Sequence, residues 1–122
     1  MGDSDGFSTL MHASLIEIFG QRDGTRRRDA MRRTYAENTA FTDPEGTVHG
    51  YDAVDQRVRK ILDDAPSAFV FTPDGPVYVG SGAAAALPWT FGPPDGPPAV
   101  RGIDIAAIAN GRIASLQTLI AA

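Results

Sequence analysis

Two aspartates stand where their surroundings could change what a carboxyl group does. Asp104 lies within Ile103-Asp104-Ile105-Ala106-Ala107-Ile108, and no basic residue is nearer along the chain than Arg101. A carboxylate buried on such a strand without a cation carries a large desolvation cost and takes up a proton instead. A carboxylic acid that is neutral at pH 7 can donate a hydrogen bond to an oxyanion. Strand alternation alone leaves open whether Asp104 points into the core or towards solvent. Asp43 precedes Pro44 at the end of a short apolar stretch. An aspartate in that place commonly builds a turn by accepting backbone N–H bonds, and local context alone favours that role.

Other candidates are fewer. His49 precedes Gly50 at the start of a helical segment and could assist proton transfer, although a loop histidine is more often simply exposed. His12 falls on the polar side of the first helix. Two histidines so far apart, with no ligand cluster around them, predict no metal site. Cysteine is absent, which excludes disulfides and thiol chemistry. The glycine-rich stretches fall in turns, so no nucleotide fingerprint is present, and no nucleophile elbow surrounds any serine.

The elements that must position these residues follow from periodicity. Phe7, Leu10, Met11, Leu15, Ile18 and Phe19 recur at three and four, one apolar face of a helix that Gly20 ends. A second helix follows Thr25 as N-cap, with Ala30, Met31, Thr34 and Tyr35 on one side. Thr39 to Asp43 reads as a strand closed by the turn Asp43-Pro44-Glu45-Gly46. A third helix over about 52–64 turns Val54, Val58, Ile61 and Leu62 inward, and Pro66 closes it. Strands follow: 68–71, then 77–79 and 83–91 as one strand with a bulge at Gly80-Ser81-Gly82. A proline-rich loop over 92–98 leads to 100–109, and Asn110-Gly111 is a hairpin signal returning the chain over 112–120. Helices early and strands late, joined by short turns, predict one α+β domain over residues 1–122: three helices on one face of a mainly antiparallel sheet. Residues 1–6 are expected to be flexible.

Composition bounds the function. At 122 residues the chain suits a single core. Its net charge is −4, yet Arg22, Arg26, Arg27, Arg28, Arg32 and Arg33 share one short stretch. Without interleaved aromatic residues this run reads as a solvated helix face, helped by an Asp29–Arg33 pair at i,i+4, and no nucleic-acid partner is expected. The polar, acidic start has no basic leader and no long apolar run follows, so no membrane contact is expected and the cytoplasm is the default location.

The order of these pieces resembles a known family. Tyr35-Ala36-Glu37-Asn38-Thr39-Ala40-Phe41-Thr42-Asp43-Pro44 and Gly50-Tyr51-Asp52-Ala53-Val54 come first; Trp89-Thr90-Phe91-Gly92, Gly102-Ile103-Asp104-Ile105 and Asn110-Gly111-Arg112-Ile113 follow. Together they look like the nuclear transport factor 2-like superfamily, in its SnoaL-like and ketosteroid isomerase-like branch. The resemblance implies a cone-shaped, cystatin-like α+β barrel whose strongly curved sheet encloses an apolar pocket, and a homodimer formed through the convex face. It implies Asp43 as the general base and Asp104 as the neutral acid that donates to an enolate, the behaviour of that relative's second acid being a known example of a raised pKa. It implies a pocket wall containing Leu15, Phe19, Tyr35, Phe41, Val58, Trp89, Leu116 and Thr118. The tyrosine that serves ketosteroid isomerase as its other oxyanion donor is replaced near Leu15, and a further tyrosine by Val58, so the isomerase hydrogen-bond network is incomplete. The expected function is cofactor-independent acid/base chemistry on a small apolar metabolite, by double-bond isomerisation or polyketide-type ring closure. Epoxide opening on the same two acids is the alternative, and a non-catalytic ligand- or protein-binding domain is the alternative from another class.

Overall fold

The computed structural model describes residues 2–122, with side chains from residue 6 onward. Helix α1 (Gly2–His12) runs into a π-helical segment, Ala13–Phe19. Then come α2 (Gly24–Thr34), β1 (Tyr35–Asp43), β2 (Gly46–His49) and α3 (Tyr51–Asp63). The remaining strands are β3 (Val70–Pro73), β4 (Tyr78–Val79), β5 (Ala84–Gly92), β6 (Val100–Ala109) and β7 (Arg112–Ile120). The flexibility expected of residues 1–6 falls mostly on side chains outside the described residues.

The sheet order is β2-β1-β7-β6-β5-β3, with β4 also paired to β5. Every neighbouring pair is antiparallel except β1 and β7, which run parallel. Those two strands are not consecutive, so no short turn dictates their direction. A register shift between Tyr35 and Ala40, and another between Ala107 and Ile108, accompany the bend of the sheet over the helices. Its concave face buries Phe41, Leu87, Ile113 and Leu116 against Leu15 and Ile18 of the π-helical segment and Val54 and Val58 of α3.

Several elements differ from expectation for local reasons. Asp23, not Thr25, caps α2: its side chain accepts the Arg26 N–H at 3.1 Å. The first apolar helix widens because Leu15, Phe19, Ser14 and Ile18 all face inward at steps of four, which the roomier π turn keeps aligned. Gly80-Ser81-Gly82 is a turn rather than a bulge, since Tyr78 pairs with Ala86 and Val79 with Ala85 across it. Pro44-Glu45 connects β1 to an unexpected strand, β2, through the Asp43–Gly46 pair. Asp29 meets Arg32 at 3.0 Å, one residue short of the expected partner, while Arg33 reaches Glu17. Asn110 and Gly111 both have positive φ, 55° and 75°, as a two-residue hairpin turn requires.

Candidate active site

A cavity of about 270 Å³ opens between the concave face of β1, β5, β6 and β7, the π-helical segment and α3. Its wall is aromatic: Phe19 lies 5.1 Å from Phe41, Phe71 stacks on Phe91 at 4.1 Å, and Trp89 meets Phe71 edge-on at 5.3 Å. The structure brings Asp43, Asp104, Leu15, Phe19, Phe41, Trp89 and Thr118 together on this cavity. Four expected members are elsewhere. Tyr35, Val58 and Leu116 are fully buried in the core and do not line the cavity, and His49 is exposed on β2. Three of these have a plain cause. Tyr35 sits where β1 starts, before the register shift, Val58 faces the packed side of α3, and β2 carries His49 to the sheet edge.

Asp104 is the deep acid. Along β6 the side chains of Asp104, Ala106 and Ile108 are buried while Ile105 and Ala107 are exposed. Its Oδ1 accepts the indole N–H of Trp89 at 2.9 Å and the hydroxyl of Thr118 at 2.8 Å. Both donors use the same oxygen, and both are neutral. Burial pushes the carboxyl up to about 6, and the bonds from Thr118 and then Trp89 oppose that rise. The group therefore changes charge close to neutrality, somewhat below the pH 7 at which the sequence reading has it protonated.

Trp89 can reach Asp104 because of Gly102. The two residues are register partners on β5 and β6, and a Cβ at Gly102 would lie 2.4 Å from the indole ring and 2.8 Å from the Leu119 carbonyl oxygen. Glycine inside a strand signals such a close approach, so the Gly102-Ile103-Asp104 triplet encodes the orientation of the acid as well as the acid itself.

Asp43 is the acid at the mouth. Its Oδ1 accepts the Glu45 backbone N–H at 2.9 Å, which makes it the turn builder its context suggests. The same oxygen accepts Arg57 Nη1 at 2.5 Å, and the pair is mostly buried. Sequence reading missed Arg57, because its place on α3 beside Ile61 says nothing of a partner on β1. The cavity residues Ile61, Phe71, Phe91, Val100 and Ile120 were likewise not assigned to the pocket wall, although Ile61 reads as inward on α3 and Phe91 shares a strand face with Trp89. Strand pairing fixes the separation of the two acids. Thr42 pairs with Gln117, one step along each strand sets Asp43 beside Thr118, and Thr118 pairs with Asp104. Two strand spacings place the acids roughly 10 Å apart at the backbone. They cannot share one proton, but both can touch one ligand.

Beneath the cavity the Tyr35 hydroxyl and Ser14 hydroxyl are 2.7 Å apart. Burial raises Tyr35 well above its ordinary value; the Ser14 bond opposes this, and the charge of Asp104 adds to it. This pair supports the floor. A larger cleft of about 670 Å³ lies between α2 and α3, but it is built on charges that answer one another, Arg27 and Arg28 on Asp55. Among the described residues no three His, Asp or Glu side chains converge as a metal site requires. No described helix is long and apolar enough to cross a membrane.

Comparison with known proteins agrees with this architecture. No curated protein matches the chain. Among solved structures, a provisionally assigned isomerase of the SnoaL-like family from Agrobacterium tumefaciens is 23% identical and superposes with a TM-score of 0.84, covering 100% of both chains. A provisional SnoaL-like polyketide cyclase from Jannaschia is 12% identical with a TM-score of 0.78, over 98% of this chain and 88% of the other. A provisional ketosteroid isomerase from Kribbella flavida is 13% identical with a TM-score of 0.69, over 98% and 81%. At these identities the likeness establishes the fold: three helices on a mixed, curved sheet. The sequence itself goes further, since residues 13–116 match the model of the SnoaL-like domain, and with that match spanning most of its length the chain belongs to the SnoaL-like family.

Proposed function

We propose that this chain is a cofactor-independent acid/base enzyme that moves a proton on a small apolar carbonyl compound, as an isomerase or a ring-closing cyclase does. The observation that carries the reading is Asp104: a buried carboxyl with two neutral donors on one oxygen, lining an aromatic cavity and ionising near neutrality. A base matched to working pH is the most effective kind for removing a proton from carbon. In this scheme ionised Asp104 takes a proton from the carbon beside the substrate carbonyl and returns it to a second carbon, or holds it while a new ring bond forms. Trp89 and Thr118 keep the receiving oxygen aimed. Deprotonation transfers one negative charge from Asp104 to the substrate oxygen, which leaves Asp104 neutral, and the Asp43–Arg57 pair at the mouth holds the opposite end of the substrate.

This assignment gives the proton-transfer role to Asp104 and the positioning role to Asp43, the reverse of the order implied by family resemblance. Names borne by structural relatives, an isomerase and a polyketide cyclase, fit carbon acid chemistry of this kind. The test is hydrogen–deuterium exchange at the α-carbon of 1-tetralone in deuterated buffer, followed by proton NMR. The native chain should catalyse exchange with a rate that rises through about pH 6, as a base requires. Asp104→Asn should reduce that rate about 10²–10⁴-fold while still binding the ketone. Equal exchange by Asp104→Asn and the native chain would leave a binding module as the better description.

A further inference from the structure

The size and polarity of the cavity allow its ligand to be described more closely, on the assumption that the acid/base reading is right. We infer that the substrate is a one- or two-ring carbonyl compound carrying a second oxygen at its opposite end, bound with the reacting end at Asp104 and the other at Asp43 and Arg57.

The volume sets the scale. About 270 Å³ lies just under the roughly 300–1,000 Å³ usual for pockets that hold drug-sized molecules. A ligand enclosed here is smaller than drug-sized, with one or two rings, and a rigid four-ring skeleton would extend out through the mouth. The wall sets the shape: Phe71, Phe91 and Trp89 form a continuous aromatic surface, against which a flat ring gains both area and stacking.

The two acids set the pattern of oxygens. Both stand on the concave face of the sheet, roughly 10 Å apart across β1, β7 and β6. On each, Oδ1 holds two internal donors, and among the described residues Oδ2 has none. With Asp104 Oδ2 against the C–H beside the carbonyl and a hydroxyl donating over about 2.8 Å to Asp43 Oδ2, the reacting end and the second oxygen stand roughly 5–8 Å apart. Oxygens at opposite ends of one ring, or across two fused rings, meet that spacing. Oxygens on neighbouring carbons do not.

The sole tryptophan, Trp89, touches both the cavity and Asp104, so its fluorescence reports occupancy without any turnover. The experiment titrates the native chain with 1-tetralone, 6-hydroxy-1-tetralone and testosterone. The hydroxyl-bearing tetralone should bind at least tenfold tighter than 1-tetralone, Asp43→Asn should abolish that preference, and testosterone should give no saturating change. Equal affinity for the two tetralones would overturn the two-ended recognition, and saturation by testosterone as tight as the hydroxytetralone would overturn the size limit, as would binding of none of the three. The acid/base reading fails separately. Tetralones that bind as expected but never exchange deuterium would sink it and leave the ligand class standing, whereas exchange on testosterone alone would do the reverse.

Discussion

Two aspartates in this molecule are buried to nearly the same degree, 4% exposed for Asp104 and 2% for Asp55, and they do opposite things. Asp55, on α3, receives Arg27 Nε at 2.6 Å and Arg28 Nη2 at 3.1 Å. Its charge is matched where it is buried, and the result is a clamp between α2 and α3. Asp104 receives an indole and a hydroxyl but, among the described residues, no cation. Its charge is unmatched, and the cost of burying it becomes a raised proton affinity. Equal burial thus gives a structural ion pair in one place and a reactive acid in the other, and the difference is the guanidinium.

The largest effect should come from breaking the clamp. Arg27→Ala leaves Asp55 with one half-exposed arginine, and Asp55→Ala leaves the buried Arg27 guanidinium with only the Gln21 carbonyl. Removing one partner of a buried pair typically costs about 3–5 kcal/mol, and urea unfolding should show a loss of that order for Asp55→Ala. Cavity residues are untouched, so tetralone binding by the folded fraction should persist. A loss below about 1 kcal/mol would mean that the clamp is not what joins α2 to α3.

The same operation at Asp104 should have the opposite sign. Its folded value of about 6 lies above the ordinary 3.8, so its contribution to stability is complete below about pH 4 and disappears as pH rises through 6. That rise from 3.8 to about 6 corresponds to about 3 kcal/mol. Asn can accept the Trp89 and Thr118 bonds without ever ionising. Urea unfolding at pH 4 should therefore show Asp104→Asn and the native chain nearly alike, and at pH 8 the variant should be more stable by up to about 3 kcal/mol. A variant equally destabilised at both pH values would show that Asp104 is held for packing, not for charge.

Gly102→Ala comes next. It inserts a methyl group where the indole ring lies, and overpacking of this kind costs about 1–3 kcal/mol. The informative readout is Trp89 emission, which should shift as the ring leaves Asp104, together with a deuterium exchange rate that falls more than stability does. If emission and exchange both stay at native levels, Gly102 does not position the acid.

How much of this could be read from the chain depended on whether the cause was local. The Asn110-Gly111 hairpin, the three helices and the strand that bears Asp104 follow from periodicity and turn chemistry within a few residues. The apolar run around Asp104 was visible because it is continuous in sequence, whereas its actual neighbours, Trp89 and Thr118, come from the strands on either side. What failed was set by distant partners. The parallel pairing of β1 and β7 brings together residues at least 75 positions apart, as in Phe41 with Leu116. The arginine run gave no hint that Arg27 would be buried on Asp55 while Arg33 crosses to Glu17. Tyr35 and Val58 were placed on the pocket by family resemblance, yet Tyr35 lies before a register shift in β1 that no short window reveals, and Val58 is on the packed face of α3, whose docking is set by distant partners.

The Asp43–Arg57 pair lies between the two extremes and gives the smallest effect. Its side chains are 9% and 13% exposed, less protected than Asp55 with Arg27 and more than a surface bridge. The 2.5 Å contact is direct, but Asp43 also holds the Glu45 N–H, so part of any loss on Asp43→Ala belongs to the β1–β2 turn. A double-mutant cycle removes that part: Asp43→Ala, Arg57→Ala and the double variant should give a coupling near 1 kcal/mol, at the upper end for exposed pairs. In tetralone exchange Arg57→Ala should weaken binding of the hydroxytetralone several-fold while the response to pH stays centred near 6, because Asp104 keeps its own donors. A pH response that moved with Arg57→Ala would tie the two acids into one titrating unit, and the contrast between an unmatched deep acid and a matched one at the mouth would have to be given up.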